Sequence, residues 1–227
     1  MHFPLNVRAV MVDLDGTLLD TALDISAAAN AMLGELGRPP CDVNQIRNYI
    51  GRGIPNLIKR CLAGRLEAAD DPDPPPAAAL ASFRQHYAAT NGRYATIYPG
   101  VVDGLRSLQN KGLRLACITN KATDFTLPLL AGSGLAPWFE LVVCGDTLAK
   151  SKPDPIQLTH ICEKFGIAPS EVLLIGDSVN DVRAARAAGC PVFCVPYGYN
   201  EGEDVRNLDC DAIVATVEEA SALVRAV

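Results

Sequence analysis

The run Val7-Arg8-Ala9-Val10-Met11-Val12-Asp13-Leu14-Asp15-Gly16-Thr17-Leu18 decides the fold. Its first half, Val7 to Val12, is short, rich in β-branched residues and mostly apolar, and it reads as a strand. Asp13-Leu14-Asp15-Gly16-Thr17 ends that strand with two carboxylates and a glycine that turns the chain. A strand without polar alternation belongs in the middle of a parallel sheet covered on both faces. Such sheets bind ligands at the carboxyl ends of their strands. Asp13 and Asp15 therefore stand where chemistry is done.

Reading outward from this run, the next long stretch has a different texture. Between Thr21 and Tyr94 the pattern is helical. Ala22, Ile25, Ala28, Ala29, Met32, Leu33 and Leu36 fall on one helical face, and Gly37 with Pro39 and Pro40 stops that helix. Further helices are predicted near 43–50, 54–63 and 77–90. The polar, proline-rich stretch 70–76 is a loop, and no strand is predicted in this whole segment. After Tyr98-Pro99-Gly100, strands alternate with helices. Strands are predicted at Leu113 to Ile118, Leu141 to Cys144, Val172 to Ile175, Val192 to Val195 and Ala212 to Val214. Helices are predicted from Thr123 to Leu130, from Pro155 to Phe165 with Asp154 as cap, and from Asp181 to Ala188. A last helix opens with a capping box of Thr216 and Glu219. Alternation of this kind gives an α/β fold. The expected architecture is a Rossmann-like parallel sheet core, residues 1–19 and 96–227, with an all-helical cap, residues 20–95, inserted over the site.

Composition excludes several classes of function. The chain has 227 residues, 49% hydrophobic and 20% charged, the ordinary balance of a globular protein. Its formal net charge is -6 with no basic run, so nucleic acid is not an expected partner. No signal peptide and no apolar run of membrane-spanning length is found, so no membrane partner is expected and the location is read as cytoplasmic. The eight cysteines are scattered through apolar runs without a CxxC pair, which reads as buried reduced thiols. His2, His86 and His160 have no partners at ligand or triad spacing. Trp138 and Phe139 are expected to pack on the core. Nothing in the sequence sets an oligomeric state.

The remaining candidates all follow predicted strands. Thr119 and Asn120 follow the second, Asp177 follows the strand ending at Ile175, and Lys152 lies in the loop before the Asp154 helix. Together they suit phosphoryl transfer, which needs a nucleophile, a proton donor for the leaving oxygen and positive charge about the phosphoryl oxygens. Asp13 can attack phosphorus. Asp15 can act as acid and then as base. Asp177 brings a third carboxylate, and three carboxylates facing an anionic substrate call for a divalent cation, Mg²⁺ beside phosphate. Lys152 supplies fixed positive charge, and Thr119 and Asn120 supply hydrogen bonds to the substrate.

Asp13-Leu14-Asp15-Gly16-Thr17-Leu18 resembles the first motif of the haloacid dehalogenase-like hydrolases. Ile118-Thr119-Asn120, Lys152-Pro153-Asp154-Pro155 and Gly176-Asp177-Ser178-Val179-Asn180-Asp181 resemble the second, third and fourth, in the family's order. The resemblance spans essentially the whole chain. It implies Asp13 as nucleophile and metal ligand, Asp15 as acid/base with its main-chain carbonyl on the metal, Asp177 as the third ligand, Asp181 as a partner just outside the metal, and a helical cap after the first motif. An acid at Asp15 suits phosphatases and phosphomutases and disfavours dehalogenation.

Within the family, residues 145 to 155, His160-Ile161-Cys162-Glu163-Lys164, Tyr197-Gly198-Tyr199-Asn200 and Ile50-Gly51-Arg52-Gly53 are similar to the phosphoglycolate-cleaving phosphatases. The expected reaction is hydrolysis of 2-phosphoglycolate through an aspartyl-phosphate, with Arg52 on the substrate carboxylate. The alternatives are another small ester (a sugar phosphate, an amino-sugar acid 6-phosphate or pyrophosphate), a sugar phosphomutase, and a non-catalytic phosphate binder. Gly51-Arg52-Gly53 lacks the third glycine and the preceding strand of a dinucleotide loop.

Overall fold

The computed structural model describes residues 3–227; His2 lies outside them. The chain runs through β1 (Leu5–Val7), β2 (Ala9–Val12) and β3 (Leu19–Asp20), then the helices α1 (Ala22–Glu35), α2 (Val43–Tyr49), α3 (Gly53–Ala63) and α4 (Ala77–Thr90). β4 (Thr96–Ile97) pairs antiparallel with β3 and carries the chain back from the helical insert. There follow α5 (Val101–Asn110), β5 (Arg114–Ile118), α6 (Thr123–Gly132), β6 (Leu141–Val143), α7 (Ile156–Phe165), β7 (Val172–Gly176), α8 (Val179–Ala188), β8 (Val192–Cys194), β9 (Ala212–Ile213), α9 (Val217–Ala222) and β10 (Val224–Ala226).

The main sheet has the order β6-β5-β2-β7-β8-β9, with every neighbouring pair parallel. Numbered within the sheet this is 3-2-1-4-5-6, the Rossmann order, and it reverses between β2 and β7. The crevice at that reversal opens where Asp13 and Asp177 leave their strands. Burial explains why β2 shows no polar alternation. Val10 and Val12 enter the core on one face of the sheet, Ala9 and Met11 the core on the other. A third apolar cluster joins α1 to α4 through Ile25, Met32, Phe83 and Tyr87, and takes in Phe125 and Tyr199 from the sheet side. That shared packing seats the helical insert over the carboxyl ends of the strands.

Three elements differ from the sequence expectation. The run Val7 to Val12 is two strands, not one. It breaks at Arg8, whose N–H donates to the Glu171 carbonyl at 2.8 Å, so that β1 pairs with β10 at the chain's end while β2 enters the sheet. α5 was not anticipated. Paired valines and Gly104 blur its helical propensity, although Val101, Leu105 and Leu108 are buried along one face. α8 begins at Val179 rather than Asp181, because Ser178 and Asp181 form a capping box. The Thr216 hydroxyl caps α9 as expected, accepting from the Glu219 N–H at 3.0 Å, while the Glu219 carboxylate accepts from Ala215. Asp154 accepts from the Ile156 N–H at 3.1 Å.

All eight cysteines are free, six buried and two half-buried. Trp138 and Phe139 pack against the core. Among the described residues no helix is long and apolar enough to cross a membrane.

Candidate active site

The strand ladder places the first carboxylate. Asp13 N–H donates to the Ile175 carbonyl at 2.9 Å, holding the residue beside the end of β7. Its side chain is almost wholly buried. Lys152 Nζ lies 2.6 Å from Asp13 Oδ1, 2.6 Å from Asp181 Oδ1 and 3.3 Å from the Ile118 carbonyl. Its three hydrogens thus have three acceptors. Gln157 fixes the lysine's backbone, accepting from the Lys152 N–H at 3.2 Å and donating to the Cys144 carbonyl at 2.8 Å.

Asp177 leaves β7 and is clasped from several sides. The Thr17 hydroxyl donates to its Oδ1 at 3.2 Å and the Tyr199 N–H to its Oδ2 at 2.5 Å. The chain passes so close that a Cβ at Gly16 or at Gly198 would lie 2.2 Å from Asp177 Oδ2. Gly16 also has φ +92°, which a side chain rarely adopts. Asp181 is committed on both oxygens, one to Lys152 and the other to the Ser178 hydroxyl at 2.6 Å. It is at once a helix cap and an ion-pair partner.

Asp13, Asp177 and Asp181 offer carboxylate oxygens within 4.8 Å of one another, all buried. Burial pushes Asp13 up from 3.8 to about 7 against the pull of Lys152, with Asp181 and Asp15 adding to the rise. Asp177 is driven well above the carboxylate range by burial and then by Asp13 and Asp181. Burial works against the charge on Lys152, but Asp13 and Asp181 outweigh it and hold its pKa above the ordinary value. One lysine does not neutralise three buried carboxylates. The donor set is hard oxygen with an uncompensated negative charge, and it fits a divalent cation such as Mg²⁺.

Asp15 turns away from this triad. Its Oδ1 accepts from the Thr21 hydroxyl at 2.7 Å, and Lys121 Nζ lies 3.1 and 3.3 Å from its two oxygens. Lys121 also donates to the Tyr87 hydroxyl, which reaches in from α4. A cavity of about 60 Å³ separates the strand ends from the insert. Asp13, Asp15, Thr119, Lys121, Lys152 and Asp177 line its floor, and Ile25, Ile50, Ile54, Leu57 and Tyr87 its roof.

Two expected substrate contacts are engaged elsewhere. The Asn120 amide lines the cavity but donates both hydrogens to main-chain carbonyls, to Gly51 at 2.8 Å and to Lys152 at 2.8 Å. It latches the insert to the lysine loop. Arg52, expected on a substrate carboxylate, is not in the cavity wall. Its guanidinium is held 2.7 Å from Asp70 Oδ1 and 3.3 Å from Glu201 Oε1, so two carboxylates already occupy it. Thr119 lines the cavity, with its hydroxyl accepting from the Lys121 N–H at 3.1 Å. Sequence reasoning missed Lys121, Tyr87 and Asn180. Lys121 follows Thr119-Asn120 directly, but nothing in a sequence separates a buried lysine from a surface one. Asn180 is buried, neither of its side-chain polar atoms has a partner among the described residues, and it too faces the cavity.

Residues 10–195 match the family model of haloacid dehalogenase-like hydrolases. The chain belongs to that family. It is 54% identical over 223 residues to a phosphoglycolate phosphatase of Thiobacillus denitrificans, covering 98% of this chain and 97% of the relative. It is 54% identical over 225 residues to one of Nitrosospira multiformis, covering 99% of each. A crystal structure of a predicted phosphoglycolate phosphatase from Haemophilus somnus superposes with a TM-score of 0.84 at 29% identity, covering 93% of this chain and 95% of the other. The protein is a phosphoric monoester hydrolase.

Proposed function

We propose that the protein hydrolyses 2-phosphoglycolate to glycolate and phosphate, with Mg²⁺ as cofactor and through an aspartyl-phosphate on Asp13. The observation that carries this reading is the pairing of Asp13 with Lys152. The lysine holds one oxygen of the carboxylate at 2.6 Å, and the other, in the cavity wall, has no hydrogen-bond partner among the described residues. The free oxygen attacks phosphorus. The P–O bond to glycolate breaks, and Asp15 gives its proton to the leaving oxygen. Asp15 then takes a proton from water, whose oxygen attacks phosphorus and releases phosphate, restoring Asp13. The Thr119 hydroxyl, whose own hydrogen has no acceptor among the described residues, binds a phosphoryl oxygen, and the Lys152 ammonium, held on Asp13 and Asp181, sets fixed positive charge beside the phosphoryl group. Asp13, Asp177 and the main-chain carbonyl of Asp15 would hold Mg²⁺, which would supply positive charge against the carboxylates and the phosphoryl group. Asp181 acts through Lys152, by keeping its Nζ beside Asp13.

The substrate is read from two supports. The relatives that match over nearly the whole chain carry the name phosphoglycolate phosphatase, and the small cavity suits a leaving group of two carbons. Eight free cysteines support a reducing, cytoplasmic setting. The test is phosphate release, with Mg²⁺ and with EDTA, from 2-phosphoglycolate, glucose 1-phosphate, an amino-sugar acid 6-phosphate and pyrophosphate. The expected result is Mg²⁺-dependent release with 2-phosphoglycolate ahead by more than roughly tenfold in kcat/KM, the scale of a single well-made polar contact. Another ester in the lead would overturn the substrate, and full activity in EDTA the metal.

A further inference from the structure

Among the described residues, the cavity wall holds only two cationic side chains, Lys152 and Lys121. Lys152 is spent on Asp13, Asp181 and a carbonyl. Lys121 is 6% exposed and has no part in the reaction steps above. Its Nζ meets the two oxygens of Asp15 and the Tyr87 hydroxyl. An ammonium has three hydrogens. The two Asp15 contacts, at 3.1 and 3.3 Å, go to one carboxylate, so a single N–H shared between its oxygens serves both, and with the phenol bonded the third hydrogen is left for a further acceptor.

Tyr87 is placed to share the task. Its oxygen accepts from Lys121, and its own hydrogen has no acceptor among the described residues. Burial raises the phenol's pKa above its ordinary value, so the hydrogen stays on. The apolar side chains of the roof, Ile25, Ile50, Ile54 and Leu57, offer an anion nothing. Arg52 is outside the wall and paired.

The substrate fixes where its second anion falls. In 2-phosphoglycolate the carboxylate is one methylene beyond the leaving oxygen. Asp15 protonates that oxygen, so the carboxylate must come to rest beside Asp15, where Lys121 already stands 3.1 Å away. We infer that Lys121, completed by the Tyr87 hydroxyl from α4, binds the carboxylate of the leaving group and sets the preference for a carboxylated phosphate ester. The inference rests on the reading of 2-phosphoglycolate as substrate. It adds a second consequence: the helical insert must be seated for the carboxylate to find both donors, since Tyr87 belongs to the insert and Lys121 to the core.

The experiment compares 2-phosphoglycolate with 2-hydroxyethyl phosphate, which keeps the two-carbon leaving group and lacks the charge. The reading is the ratio of their kcat/KM values in wild type, Lys121→Met, Lys121→Arg and Tyr87→Phe, with thermal melts to confirm folding. Wild type is expected to favour 2-phosphoglycolate. Lys121→Met should lower that ratio by roughly 10- to 100-fold, the range of a charge-assisted hydrogen bond. Lys121→Arg should recover part of it. Tyr87→Phe, which deletes one oxygen, should lower it by a smaller factor and serves if Lys121→Met does not fold. An equal fall on both esters in the Lys121 variants would mean that the lysine acts only through Asp15, and would overturn the inference while leaving the substrate intact. A wild type that prefers neither ester would instead overturn the substrate reading, and the inference with it.

Discussion

Replacing Lys152 by methionine strips the carboxylate cluster of its one fixed cation at nearly constant volume. The lysine side chain is 3% exposed and makes two contacts of 2.6 Å, to Asp13 and Asp181. Breaking a buried pair by removing one partner costs roughly 3–5 kcal/mol, because the other charge stays behind. In a chain of this length each kcal/mol moves the melting temperature by about 2–4 °C, so a fall of roughly 6–20 °C is expected. The loss should depend on pH. Asp13 has a folded pKa of about 7 against an ordinary 3.8. A carboxyl raised in this way favours the folded state fully below about pH 4, and that advantage is lost as pH rises through 7. Lys152 is what most lowers the Asp13 pKa, so without it the carboxyl stays protonated to higher pH. The deficit should therefore be larger near pH 8 than near pH 5. The assay is thermal unfolding followed by circular dichroism in EDTA at both pH values. A deficit below about 1 kcal/mol near pH 8, the worth of a surface pair, would refute the view that this lysine holds the cluster together.

Three further outcomes are expected. Mg²⁺ should raise the melting temperature of the wild type more near pH 7.5 than near pH 5, since protons and metal compete for Asp13 and Asp177; no shift relative to EDTA near pH 7.5 would remove the metal from the account. Asn120→Ala should cost about 1–3 kcal/mol in urea unfolding, two hydrogen bonds' worth, and raise KM by unlatching Gly51 from the lysine loop; an unchanged KM would mean that the latch has no part in binding. Gly198→Ala should raise the Mg²⁺ concentration for half-maximal phosphate release by roughly tenfold or more, because its Cβ would meet Asp177 Oδ2 at 2.2 Å; an unaltered Mg²⁺ requirement would argue that Asp177 is not a ligand.

The parts of the site that follow strands were legible in the sequence. A carboxylate after an apolar strand must sit at a strand's carboxyl end, and the Rossmann order of the sheet brings Asp13, Thr119 and Asp177 to one crevice. What escaped the sequence depends on contacts between distant segments. Asn120 carries the residue type of a phosphate donor, yet its amide is consumed by two carbonyls 69 and 32 residues away. Arg52 has the charge to meet a carboxylate, and Glu201, far along the chain, meets it instead. Lys121 gains its meaning only because α4 drops Tyr87 beside it. In the fold, α5 hid behind two valines and a glycine, and the split at Arg8 could not be seen without the partner strand β10 at the other end of the chain.

The measurement that bears most directly on the mechanism is covalent trapping. The protein is mixed with 2-phosphoglycolate labelled in its phosphorus, with Mg²⁺, quenched in acid within a turnover, and digested. The account predicts acid-stable, hydroxylamine-labile label on the peptide that contains Asp13, and none in Asp13→Asn. Phosphate release by wild type with no label on any aspartate, or release at full rate by Asp13→Asn, would contradict it.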